Sequence, residues 1–116
     1  MSNAVPRSYP LGMEAEIFTF NSLYISHNKA TKAYDREHVT TYIKSSEYFV
    51  KSNYKNKVNL QKYRFTLDTK EDFNLISKIY KTLYPVNTIF SLDDIISLMK
   101  KNKSLYKINN HILQKT

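Results

Sequence analysis

The sequence contains no cysteine, one glycine and three prolines. Without cysteine there can be no disulfide, no thiolate nucleophile and no cysteine-ligated zinc. One glycine, Gly12, excludes a glycine-rich phosphate-gripping loop anywhere in these residues. No apolar run approaches the length that spans a bilayer, and the first residues lack a signal-peptide pattern. A cytoplasmic setting is therefore expected, with no membrane partner. Repeats and low-complexity segments are also absent.

Hydrophobic residues make up 41% of the 116 positions and aromatics 14%, which argues for one folded domain over residues 1–116. Lys and Arg number 18 against 10 Asp and Glu, a formal charge of +8 that favours anionic partners. The lysines are scattered, however, at Lys51, Lys55, Lys57, Lys62, Lys100, Lys101 and Lys103. Arginine does not cluster, so charge alone does not select nucleic acid as a partner.

Two periodicities meet at residues 63–73. Tyr63, Phe65 and Leu67 alternate with Arg64, Thr66 and Asp68, as in a strand with one buried face. Thr69 then stands at an N-cap position, with Asp72 three residues on as in a capping box. Phe73, Ile76, Tyr80 and Leu83, with Ile79 beside them, predict a helix to about residue 83, before Pro85. Asp68 falls at the hinge, the carboxyl end of the strand, where ligands gather in open α/β sheets. The alternative is that it only supports the turn.

Gly12 marks a position needing positive φ or close approach. Ser2-Asn3-Ala4 before it reads either as the scar of an expression tag or as native sequence. Residues 14–20 form a strand candidate with Glu14 and Glu16 on one face, where they repel unless a cation lies between them or water solvates both. From Asn21, the spacing of Leu23, His27, Ala30 and Tyr34 predicts a helix. Asp35 is an N-cap candidate for a helix carrying Val39, Tyr42 and Ile43, and Arg36, Glu37 and His38 crowd its first turn. His38 suits either an anion site or a half-buried hydrogen bond; no second ligand stands at zinc spacing. Residues 48–50 are a short strand candidate and 51–62 a polar loop. Ser91 and Asp94 open a capped helix with Ile95, Ile96, Leu98 and Met99 inside, and Leu105 to Leu113 read as short turns.

Tyr9-Pro-Leu-Gly12-Met-Glu-Ala-Glu16-Ile-Phe18, Asp35-Arg-Glu-His-Val-Thr-Thr-Tyr-Ile43 and Phe65-Thr-Leu-Asp-Thr-Lys-Glu-Asp72 occur in this order. Together with Phe90 to Ile95 and Ile108-Asn109, they resemble the C-terminal half of bacterial cytidylyltransferases of the spore coat polysaccharide biosynthesis protein F type. These are relatives of the CMP-Kdo and CMP-sialic acid synthetases. The resemblance implies an α/β architecture: the C-terminal part of a nucleotide-diphospho-sugar transferase fold, Rossmann-like and GT-A-like, with short mixed strands and flanking helices.

The same resemblance implies that Asp68 helps hold a catalytic magnesium. Glu14 and Glu16 would line the acceptor-sugar side of the cleft, and Arg36, Glu37 and His38 would lie near that cleft or a dimer contact. Glu14 stands where Asp is usual, Met13 for Leu, and Lys70 for Pro. The segments that grip the CTP phosphates and supply the second metal acid have no counterpart. The expectation is the acceptor-side and dimerisation half of a homodimeric enzyme using CTP and an acidic or amino sugar, inactive alone. The competing readings are a non-catalytic dimerisation or interaction module and, third, a basic nucleic-acid-binding domain.

Overall fold

The computed structural model describes residues 1–113. Among them are six helices: α1 (Phe20–Lys29), α2 (Ala33–Glu37), α3 (Thr41–Ser45), α4 (Lys70–Leu83), α5 (Leu92–Lys101) and α6 (Lys103–Tyr106). The expected short strands are not formed as ladders. The extended segments meet only at isolated bridges, Ser2 with Glu16, Ser2 with Asn53, Ala4 with Arg7 and Leu11 with Arg64. Residues 48–50 form no strand among the described residues.

The reason is clearest at Leu11. Its N–H donates to the Tyr63 carbonyl at 2.9 Å, and its carbonyl accepts from Phe65 N–H at 2.7 Å, a parallel pairing. Gly12 then turns the chain away with φ of +93°, and a Cβ there would lie 2.5 Å from the Phe65 carbonyl oxygen. Positive φ and close approach are both required, so the pairing stops after one residue.

α4 begins where the sequence predicts. The Thr69 side chain accepts from Asp72 N–H at 3.2 Å, and Glu71 and Asp72 sit in the first turn, where acids suit the helix dipole. The buried face is the predicted one in part: Ile79 is buried and Ile76 and Leu83 pack against the core, with Asp72 and Leu75 buried beside them, whereas Phe73 is 64% and Tyr80 53% exposed. α5 carries the full capping box, with Ser91 and Asp94 bonded reciprocally, and buries Ile95, Ile96 and Met99. The two helices close over Leu60, Tyr63, Phe65 and Leu105 to make the core, flanked by Ile76, Leu83, Leu98 and Ile108.

The other end of the molecule departs further from expectation. α1 starts at Phe20 under a Thr19 cap and stops at Lys29, leaving Tyr34 outside it. The single helix expected from Asp35 to Ile43 is two short ones, split at Val39. Val39 has φ of +51°, and Thr40 N–H donates to the His38 carbonyl across it, a positive-φ γ-turn that breaks the helical ladder. Residues 1–17 thread between these parts. Asn3 is buried, its side chain bonding the Met13 carbonyl and Ala15 N–H at 2.8 Å each, so residues 2–4 are built into the fold. The radius of gyration is 17.0 Å. A compact domain of this length would have about 13 Å.

Candidate functional site

Asp68 and its surroundings follow from the α4 cap. The Asp72 carboxylate does not fold back on Thr69, as a capping box would have it. It turns inward and accepts from Arg64 Nε at 3.0 Å and Nη2 at 2.9 Å, from Thr66 Oγ1 at 2.8 Å, from Asp68 N–H at 3.1 Å and from Asn109 Nδ2 at 2.8 Å. Asn109 also donates to the Arg64 carbonyl at 3.0 Å, tying the end of the described chain to this point. Burial alone would raise the Asp72 carboxyl. The Arg64 guanidinium, then the Asn109 amide, the Thr66 hydroxyl and the Asp68 N–H, hold it well below the usual carboxylate range.

Asp68 stands at the edge of this network. One carboxylate oxygen accepts from Arg64 Nη2 at 3.2 Å, while its side chain is 64% exposed. Its N–H bond to Asp72 and its side-chain bond to Arg64 fix it from both ends. The strand position that was expected to face away from the core therefore carries a buried arginine, because Arg64 reaches Asp72 rather than water. Arg64, Asp72 and Asn109 were not among the residues singled out for function. The local sequence signal for Asp72 is that of a cap, and its partners lie 8 and 37 positions away.

Glu14 and Glu16 do not share a cation. Glu14 pairs with Arg7 and accepts from Gly12 N–H at 3.0 Å. Glu16 pairs with Lys44 on α3. Partial burial opposes ionisation of Glu16, but hydrogen bonds from Lys44 and the Thr40 side chain, with the charges of Lys44 and the amino terminus, lower its pKa. Glu16 lines a cavity of about 260 Å³ whose other walls include Ile17, Phe18, Ile43, Lys44 and Lys51.

The Arg-Glu-His run is dispersed by the α2 turn. Arg36 Nη1 donates to the His27 carbonyl at 2.7 Å and lies 3.3 Å from His27 Nδ1, beside a second cavity of about 180 Å³. The His38 ring packs on Tyr34 at 4.4 Å between centroids, and Glu37 is exposed at the end of α2. The structure thus disperses the candidates, with Asp68 at the start of α4, Glu14 against Arg7, Glu16 in the larger cavity and Arg36 beside the smaller. Among the described residues no group of three or more His, Asp or Glu gathers to hold a metal ion, so Asp68 offers a single carboxylate. No helix of the described residues is long and apolar enough to cross a membrane.

No protein-family model matches the chain. A solved structure of a cytidylyltransferase from Leptospira borgpetersenii superposes with a TM-score of 0.85 and 31% identity, covering 98% of this chain and 47% of that one. At this likeness the architecture is that of part of a nucleotidyltransferase-like α/β fold, of which the described residues supply mostly helix and coil. An uncharacterized protein of Methanocaldococcus jannaschii is 33% identical over 109 residues, 91% of this chain and 44% of the relative. The chain spans less than half the length of each of these two proteins.

Proposed function

We propose that this chain is the acceptor-side half of a sugar cytidylyltransferase of the spore coat polysaccharide type, acting in surface glycan synthesis. The observation that carries the reading is the 0.85 superposition over 98% of the chain on a cytidylyltransferase. In the complete reaction a sugar hydroxyl oxygen bonds to the α-phosphorus of CTP. The bond from that phosphorus to the oxygen leading to the β-phosphorus breaks, and pyrophosphate leaves. A CMP-sugar remains.

Asp68 is the residue of this half proposed to bring charge to that centre. It is exposed, oriented by Arg64 and by its own N–H, and set at the N-terminal end of a 14-residue helix. Magnesium, when bound, would neutralise charge on the phosphoryl oxygens. The described residues do not fit a complete magnesium site, since Asp68 gives one carboxylate and Asp72 is wholly engaged. Further ligands belong to a nucleotide-gripping half. Glu14 and Glu16 are proposed to line the side of the acceptor, an acidic or amino sugar, Arg36, Glu37 and His38 to lie near that cleft or a dimer contact, and the assembled enzyme is proposed to be a cytoplasmic homodimer.

The chain alone is expected to be inactive. Incubating it with CTP, magnesium and a panel of acidic and amino sugars should release no pyrophosphate; release would overturn this assignment. A non-catalytic interaction module is the second reading, favoured by the exposure of Ile17 (72%), Phe20 (80%) and Ile89 (87%). Phe65 is buried and contributes nothing to it.

A further inference from the structure

Arg36 is held by its Nη1, which donates to the His27 carbonyl at 2.7 Å and lies 3.3 Å from His27 Nδ1. A guanidinium has only donors, so Nδ1 is the acceptor there. In the neutral ring the His27 proton then sits on Nε2, which becomes a donor. Nε and Nη2 of Arg36 bond no protein group among the described residues, and no acid among them pairs with its charge. These two nitrogens form the edge that grips a carboxylate through parallel hydrogen bonds. Arg64 holds Asp72 by the same edge. Capping of α1 explains Nη1 on the His27 carbonyl but leaves that edge without a role.

Both side chains line the smaller cavity, about 180 Å³, whose apolar wall includes Leu23, Ala30 and Val39. Val39 enters that wall from the turn at φ of +51°, a strained geometry of the kind found at ligand clamps. Asp35 lines the cavity too. Its Oδ1 accepts from Thr41 Oγ1 at 2.7 Å, while Oδ2 has no protein donor among the described residues.

These groups describe an occupant. The Arg36 edge and His27 call for an anion, and Asp35 Oδ2 calls for a donor. A second negative charge would be repelled by Asp35, which disfavours a phosphate dianion. An ammonium as the donor would be repelled by Arg36, which favours a hydroxyl. A cavity of about 150 Å³ takes benzene, so this one holds roughly six to eight heavy atoms, fewer than a sugar acid has.

We infer that the smaller cavity binds a small hydroxycarboxylate, with its carboxylate on Arg36 and His27 and its hydroxyl on Asp35. Binding there needs neither CTP nor turnover, so it is tested apart from the function proposed above.

Lactate is the probe, titrated into the isotope-labelled full chain and followed by the shifts of its amides and of Arg36 Nε–H. Saturation with Kd of about 1 mM or tighter is expected, within reach of a ligand of so few atoms. Propionate, which lacks the hydroxyl, should bind about three- to tenfold more weakly, the value of one net hydrogen bond. Inorganic phosphate, measured as the dianion, should bind about tenfold more weakly or worse. Arg36→Lys keeps the charge but loses the fork, and should weaken lactate about tenfold or more. Asp35→Asn keeps an acceptor for Thr41 and should bring phosphate to within about threefold of lactate. Circular dichroism should be unchanged in both variants.

No saturable shift around the cavity at about 20 mM lactate, well above that Kd, would overturn the inference. So would equal binding of lactate, propionate and phosphate, which marks a merely cationic surface, or undiminished binding in Arg36→Lys. Glucuronate binding more tightly than lactate would also overturn it, and would give the cavity to the acceptor sugar instead.

Discussion

Arg64 grips Asp72 through two guanidinium nitrogens, at 3.0 and 2.9 Å, and Asp72 has no exposed surface at all. This pair joins the extended segment under Gly12 to the first turn of α4, and Asn109 closes it from the far end of the described chain. A charge pair so placed gains little over apolar packing while intact but leaves an uncompensated charge when broken.

Asp72→Ala is therefore expected to cost about 3–5 kcal/mol in urea unfolding, because it removes the buried carboxylate that bonds two guanidinium nitrogens of Arg64. A loss under about 1 kcal/mol would fit the cap alone and would contradict the network. Asn109→Ala, which removes one of several donors, should cost less, on the order of 1–2 kcal/mol.

The same carboxylate sets an acid limit. Its folded pKa lies below its unfolded value, so the unfolded chain binds more protons in that interval and stability rises with pH there. The contribution is complete above the unfolded carboxylate value of about 3.9 and is lost as pH falls through the folded one. Thermal unfolding followed from pH 6 to 2 should show the midpoint dropping below about pH 4. Asp72→Asn should flatten that drop.

Gly12→Ala should destabilise by roughly 1–3 kcal/mol, from strained φ and the contact with the Phe65 carbonyl. Hydrogen exchange at the Leu11 and Phe65 amides should speed up with it, since both bond across this approach. Unchanged protection would show that the backbone accommodates a Cβ.

Val39 is the reverse case. A β-branched residue at φ of +51° carries strain that glycine would not. At a half-exposed position with little packing to lose, Val39→Gly should hold or raise the unfolding midpoint. A fall of more than about 1 kcal/mol would mean that the γ-turn is held by Val39 contacts.

What the sequence makes legible depends on how local the cause is. The starts of α4 and α5 can be read directly, because Thr69 and Ser91 bond N–H groups three residues on. The requirement at Gly12 is legible for the same reason. The burial of Asp72 on α4 is not, since its partners Arg64 and Asn109 are remote in sequence, and neither is the exposure of Phe73 and Tyr80. A Thr-x-x-Asp pattern looks the same whether the acid folds back or turns into the core. Likewise, nothing local separates Glu14 from Glu16. Their different cations, Arg7 and Lys44, come from remote segments. The alternation at 63–68 holds for Tyr63 and Phe65 and fails at Arg64, buried against Asp72, and at Leu67, 64% exposed where the chain turns toward the α4 cap.

The most direct measurement joins this chain to the part of the Leptospira cytidylyltransferase that it does not cover and follows pyrophosphate release from CTP. The account predicts magnesium-dependent release with at least one acidic or amino sugar, falling roughly a hundredfold in Asp68→Asn as a lost charge stabiliser should, with unfolding unchanged. A folded fusion that releases nothing, or one whose rate is untouched by Asp68→Asn, would contradict it.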